Sequence, residues 1–128
     1  MDKIIVDSDI LIDLSRGDER AVNWIKKYEN SEKLVISVVT EIELLFGSRD
    51  KVHLKTIKSF LSNFETIQLN ETISLAAAHL VEKYCLSHRL QLPDAMIAAT
   101  ALVNGFDLAT INKKDFRFID GLTLVDYP

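Results

Sequence analysis

Lys3-Ile4-Ile5-Val6-Asp7-Ser8-Asp9-Ile10-Leu11 decides the class of fold. Its first half is an unbroken β-branched run with no polar alternation. Such a run suits a strand buried on both faces, the situation of a parallel sheet covered by helices. The run stops on an acid, Asp7. Beyond it Ile10, Leu11 and Leu14 make one short helical face that Gly17 ends.

The same strand-then-helix alternation repeats to the end of the chain. Asp18 can cap a second helix, in which Ala21, Val22, Trp24, Ile25 and Tyr28 recur at near-helical spacing. Leu34-Val35-Ile36 is a second buried strand, and Ser37 to Phe46 a helix closed by Gly47. Asp50 to Phe64 is another helix. Thr66 to Leu69 is a third strand ended by Asn70. Ile73, Ala76, Ala77, Leu80, Val81 and Tyr84 follow as the clearest helical stripe in the chain. Pro93 opens a helix over 94–103, apolar nearly all round, either a central core helix or partly a subunit interface. Leu108-Ala109-Thr110 is a fourth strand and Leu122 to Val125 a fifth. Strands joined by helices through short connections predict an α/β protein, a three-layer α/β/α sandwich with a mostly parallel sheet of four or five strands.

At 128 residues the chain matches one compact domain, 1–128, and buries roughly two-thirds of its unfolded surface. Four glycines and two prolines leave little room for linkers. Cys85 is the single cysteine, so no internal disulfide forms, and its helical setting points to a small buried side chain. No signal-length or membrane-length apolar run occurs, and position 2 is an acid, which predicts a cytoplasmic protein without membrane contact. Fifteen Lys and Arg against nineteen Asp and Glu give a net charge of −4. That argues against binding nucleic acid by bulk charge alone, but not against a nuclease that gathers acids around metal.

Four acids stand where sites form in open α/β sheets, beyond the carboxyl ends of strands. Asp7 ends the first strand. Glu43 lies one turn into the helix after the second. Asp94 opens the apolar helix, and Asp115 closes Asn112-Lys113-Lys114-Asp115 after the fourth strand. Each has a structural alternative. Asp7 and Asp9 can cap the first helix. Thr40-Glu41-Ile42-Glu43 matches a capping box. Asp94 suits a helix dipole, and Asp115 can reciprocate a cap by Asn112. Together they form a cluster whose repulsion and desolvation call for a cation. Oxygen-only donors suit Mg²⁺ or Mn²⁺. His53, His79 and His88 fall within helices, as surface or core-edge residues.

These segments, in order, resemble the PIN-domain nucleases, and within them the VapC-type toxins of toxin–antitoxin pairs. Ile5 to Asp13 resembles the family's opening motif, Ile36 to Gly47 its second, Leu92 to Ala101 its third, and Thr110 to Phe116 its fourth. The resemblance implies Mg²⁺- or Mn²⁺-dependent endonucleolytic cleavage of RNA, with Asp7, Glu43, Asp94 and Asp115 as catalytic metal ligands. Thr110 and Asn112 match supporting polar positions. Asp9, where Asn, Thr or Ser is common, is a supporting residue, a fifth acid that either tunes metal affinity or orients and caps its neighbours. The resemblance also implies a homodimer and a small antitoxin that blocks the site. Arg16, Lys113, Lys114 and Arg117, near the motif ends, are candidates to grip RNA.

Asp7-Ser8-Asp9 after a first strand also resembles haloacid-dehalogenase phosphatases, in which such an aspartate is the nucleophile. That chemistry needs a downstream lysine and a later acidic pair, and no convincing set is present. A receiver-like domain needs a lysine at a late strand end, which Leu108 to Ile111 does not offer. A non-catalytic binding module on the same fold is the remaining alternative.

Overall fold

The computed structural model describes residues 3–128; the acid at position 2 lies outside the described residues. The strands are β1 (Ile4–Val6), β2 (Leu34–Ser37), β3 (Glu65–Ile67) and β4 (Asp107–Ala109). They hydrogen-bond in the order β3-β2-β1-β4, every pair parallel. The helices are α1 (Ser8–Ser15), α2 (Glu19–Lys26), α3 (Val38–Phe46), α4 (Lys51–Leu61), α5 (Glu71–His88) and α6 (Leu92–Asn104). A 3₁₀ turn at Lys113–Asp115 follows β4.

Because strand side chains alternate, β1 divides its apolar run between two cores. Ile5 joins Val35 and Leu108 against α5 and α6. Ile4 and Val6 join Ile36, Ile10 and Leu11 of α1, Trp24 of α2 and Leu61 of α4. The layers are therefore α5/α6, sheet, and α1/α2/α4, with α3 reaching α1, α4 and α6. The chain steps β1 to β2 to β3 in one direction, then α5 and α6 carry it back across the other face to place β4 beside β1. Crossovers of one hand put helices of opposite steps on opposite faces, which accounts for this division. The direction changes between β1 and β4. Such a switch point leaves a crevice beyond the strand ends.

Helix α6 is the central core helix: Ala95, Ile97, Ala98, Ala99, Thr100 and Ala101 are all buried within this one chain. Its small residues allow close approach to α5 and the sheet. Several boundaries differ by one or two residues from those read in the sequence, and three differences are larger or have a clear cause. Strand β3 ends at Ile67 instead of Leu69, because its partner β2 ends at Ser37, opposite Ile67, and turns into α3. Helix α4 ends at Leu61, with Ser62 and Asn63 in a turn. The expected fifth strand reduces to one parallel bridge, Leu108 with Leu124. Beyond it the tail leaves the sheet edge and buries Tyr127 edge-on against Trp24, ring centroids 5.2 Å apart.

That contact ties the C-terminal tail to the α1/α2 layer. Tyr127→Ala is expected to lower the unfolding free energy by about 3 kcal/mol, measured by urea denaturation. An unchanged midpoint would show that the tail contributes nothing to the core.

Candidate active site

Asp7 follows β1 directly and is 6% exposed. It occupies the N-cap position of α1, where one carboxylate oxygen accepts from the Ser8 backbone N–H at 2.8 Å. The other accepts from the Thr110 hydroxyl at 2.8 Å. Thr110 follows β4 and is itself fully buried; its Oγ1 also accepts from the Asn112 N–H at 3.0 Å. The parallel pairing of β1 with β4 sets Val6 opposite Ala109, so the residues after them meet. Asp7 is thus both a cap and a buried carboxylate facing the crevice. Burial is the largest influence on it and raises its pKa, opposed by the bonds from Thr110 and Ser8 and assisted by the charges of Asp9 and Glu43.

Glu43 lies on α3, and the capping-box explanation for it does not hold. The N-cap of α3 is Ser37, whose hydroxyl accepts from the Val39 N–H. Thr40 is a buried residue inside the helix. With the cap three residues earlier, Glu43 has no backbone N–H of its own helix end to satisfy. Instead its Oε1 accepts from Ser8 Oγ at 2.8 Å, while Thr40 Oγ1 stands 3.4 Å from the same Ser8 oxygen. Ser8 and Thr40 are not among the site residues read in the sequence. The available signals were the place of Ser8 between two acids and that of Thr40 one helical turn before Glu43.

Asp9 is exposed and accepts from the Asn112 side-chain amide. The cap expected between Asn112 and Asp115 is absent: Asn112 makes no side-chain capping bond to the 3₁₀ turn, and only the Asp115 N–H reaches the Asn112 carbonyl. The Asn112 side chain is engaged across the crevice instead, joining the β4 loop to α1. Asp115 itself is exposed.

Asp94 lies in the first turn of α6 and is partly buried. Its pKa is pushed up to about 6, first by burial and then by the charges of Asp7, Asp115, Glu43 and Asp9. The four acids predicted from the sequence, together with Asp9, therefore act on one region of the molecule. The candidate cations are more dispersed. Lys113 stands 3.9 Å from Asp126, while Lys114 and Arg117 are exposed after β4 and Arg16 is exposed at the end of α1. Of the histidines, His53 is partly buried on α4 and His79 and His88 are exposed on α5; His88 stacks on Phe118.

The PIN domain family model matches residues 4–122. The chain is a PIN-domain protein. It is 36% identical to Ribonuclease VapC10 of Mycobacterium tuberculosis over 120 residues, covering 93% of this chain and 90% of that one. To Ribonuclease VapC19 of the same organism it is 32% identical, covering 92% and 95%. The chain thus stands with the VapC proteins of the PIN family. Its fold is similar to a chain of a toxin–antitoxin complex from Klebsiella pneumoniae, with TM-score 0.80, 30% identity and 97% coverage of each chain. A chain of VapBC from Salmonella typhimurium bound to DNA shares the fold at TM-score 0.83 and 19% identity, covering both chains completely.

No three His, Cys, Asp or Glu side chains among the described residues of this PIN domain are set as ligands around one point. Glu43 is bonded to Ser8, Asp9 to Asn112, and Asp7 to Thr110 and Ser8. The donor chemistry nonetheless fits a hard divalent cation, since every group is a carboxylate. Burial and mutual repulsion raise both Asp7 and Asp94, a cost that a cation would remove.

The sign of that cost is testable. A carboxyl whose pKa is higher folded than unfolded favours folding while protonated, and stability falls as pH rises from about 4 through about 6. In EDTA the melting temperature is expected to fall as pH rises across that interval. Asp94→Asn should flatten this dependence and raise the metal-free melting temperature at pH 7.5. A lower melting temperature for that variant would contradict the electrostatic account.

Proposed function

We propose that this chain is the ribonuclease toxin of a toxin–antitoxin pair, one PIN nuclease domain that cleaves RNA endonucleolytically with Mg²⁺ or Mn²⁺. The observation that carries the proposal is the buried Asp7 at the switch point, whose pKa the charges of Asp9 and Glu43 raise, with Asp94 raised in turn by Asp7, Asp115, Glu43 and Asp9. Support comes from the relatives named Ribonuclease VapC and from a similar fold in toxin–antitoxin complexes. A cognate antitoxin, a homodimer and a cytoplasmic location belong to the same proposal. No helix among the described residues is long and apolar enough to cross a membrane.

Asp7 and Asp94 are the proposed direct metal ligands, with Glu43 and Asp115 acting partly through water. The chemistry supplied by Mg²⁺ or Mn²⁺ when bound is Lewis acidity, which makes water a nucleophile near neutral pH and neutralises phosphate charge. The protein's part is positional. Thr110 and the Ser8 N–H hold the two oxygens of Asp7, so its carboxylate keeps one orientation. Ser8 Oγ steadies Glu43, and Asn112 draws the β4 loop towards α1. Each donor fixes a carboxylate without neutralising it, as the partners of metal ligands generally do. With both oxygens of Asp7 engaged and the group buried, it is better placed to hold a cation than to attack phosphorus. In-line attack by water leaves a 5′-phosphate and a 3′-hydroxyl.

Cleavage of a single-stranded RNA should require Mg²⁺ or Mn²⁺, stop in EDTA, and fall by more than about a hundredfold in Asp7→Asn or Asp94→Asn with folding retained. Metal-independent activity would refute the mechanism. Thr110→Val, which removes the donor to Asp7 but no charge, should weaken Mn²⁺ binding by about 10- to 100-fold in calorimetry. Below about pH 6 Mn²⁺ affinity should drop, because protons compete for Asp94.

A further inference from the structure

A groove of about 690 Å³ runs between α1, α3 and α4, and Glu43 forms part of its wall. Its floor is apolar, made by Ile12, Leu44, Ile57 and Phe60, and its cations are Arg16 and Arg49. Apart from Glu43, no acid among the described residues lines it. A chain of net charge −4 therefore presents a locally cationic trough directly beside its acid cluster.

Neither arginine is in an ion pair among the described residues. Arg49 is nevertheless held in place. Its backbone N–H and its Nε both donate to His53 Nδ1, at 3.1 and 3.3 Å. His53 is itself fixed through its backbone N–H, which donates to the N-cap Asp50 at 2.8 Å. Anchored through Nε, the guanidinium keeps its two terminal amino groups without a hydrogen-bond partner among the described residues. That forked pair of donors matches phosphate oxygens in geometry and charge. An apolar floor beneath unpaired guanidiniums suits a nucleotide, with the base on the floor and the phosphate at the rim. The volume lies in the range of sites for small ligands and holds about one nucleotide with its flanking phosphate.

We propose that this groove seats the nucleotide next to the scissile phosphate of a single-stranded RNA, Arg16 and Arg49 gripping phosphate oxygens and the apolar floor receiving the base. The proposal rests on the ribonuclease function above and adds Arg49, positioned by His53, to the residues that hold substrate.

The test is fluorescence anisotropy of a short 5′-labelled single-stranded RNA, titrated with Asp94→Asn protein so that it is not cleaved. Arg16→Ala and Arg49→Ala are each expected to weaken binding about tenfold and to lower the salt slope by about 0.7. Thr56→Trp, at an exposed position on the groove wall, leaves charge untouched and should weaken binding at least as much by filling the space. Lys83→Ala, on α5 across the sheet, also removes one positive charge and should leave binding within about twofold. Unchanged affinity in both Arg49→Ala and Thr56→Trp overturns the proposal and leaves the groove to a polypeptide partner. Cleavage of the same RNA by the wild-type chain with Mg²⁺ is measured in parallel. If cleavage persists while the groove variants bind like their parent, the groove assignment fails alone. If the wild-type chain neither binds nor cleaves RNA, both assignments fall.

Discussion

The structure turns on one buried carboxylate. Asp7 sits at the end of β1 with almost no exposure, and its hydrogen bonds come from the Thr110 hydroxyl beyond β4 and the first N–H of α1. Leaving a carboxylate in such a place without partners is expensive, so each neighbour that offsets its charge is held to a position. The β1–β4 pairing, the start of α1 and the turn after β4 all meet on it. Its position is set in turn by the sheet: the strand order reverses at β1, which opens the crevice into which Asp7 faces.

From this point outward, each helix contributes one function to the crevice through ordinary rules of local structure. Ser37 ends β2 and caps α3, which places Glu43 two turns in, facing Ser8. Pro93 near the start of α6 leaves Asp94 in the first turn, where backbone N–H groups have no helical partner and acids are tolerated. The apolar remainder of α6 is locked between α5 and the sheet, so Asp94 is carried on a rigid element. Burial and the charges of Asp7, Asp115, Glu43 and Asp9 then raise the pKa of Asp94. A bound cation would relieve that repulsion. Polar donors such as Thr110, Ser8 and Asn112 orient the group without reducing its charge.

The fold was largely legible in the sequence because burial on both faces writes itself as continuous apolar runs. Ile4 to Val6, Leu34 to Ile36 and the stripe Ile73 to Tyr84 all appear where the pattern placed them. The errors have a common cause. Strand ends depend on a partner, and Leu69 lost its partner when β2 turned into α3. The segment 122–125 has strand composition but meets β4 at a single residue before Tyr127 is drawn to Trp24. The capping box at Thr40 and the Asn112–Asp115 cap both match local motifs. Each was overridden by contacts between residues far apart in the chain, Ser8 with Glu43 and Asn112 with Asp9.

The sequence by itself determined the alternation of strands and helices, the placing of acids after strands and at helix starts, and the order of motifs that marks a PIN domain. These are properties of residue type and spacing along one line. Only the tertiary structure decided which acid is buried and which hydroxyls serve it. The pairing of Arg49 with His53 in a trough beside Glu43 was also decided there. The physical reason is that burial, desolvation and hydrogen-bond partnership belong to positions in space. The strand order β3-β2-β1-β4 brings together residues 103 apart, Asp7 with Thr110, which spacing along the chain does not reveal.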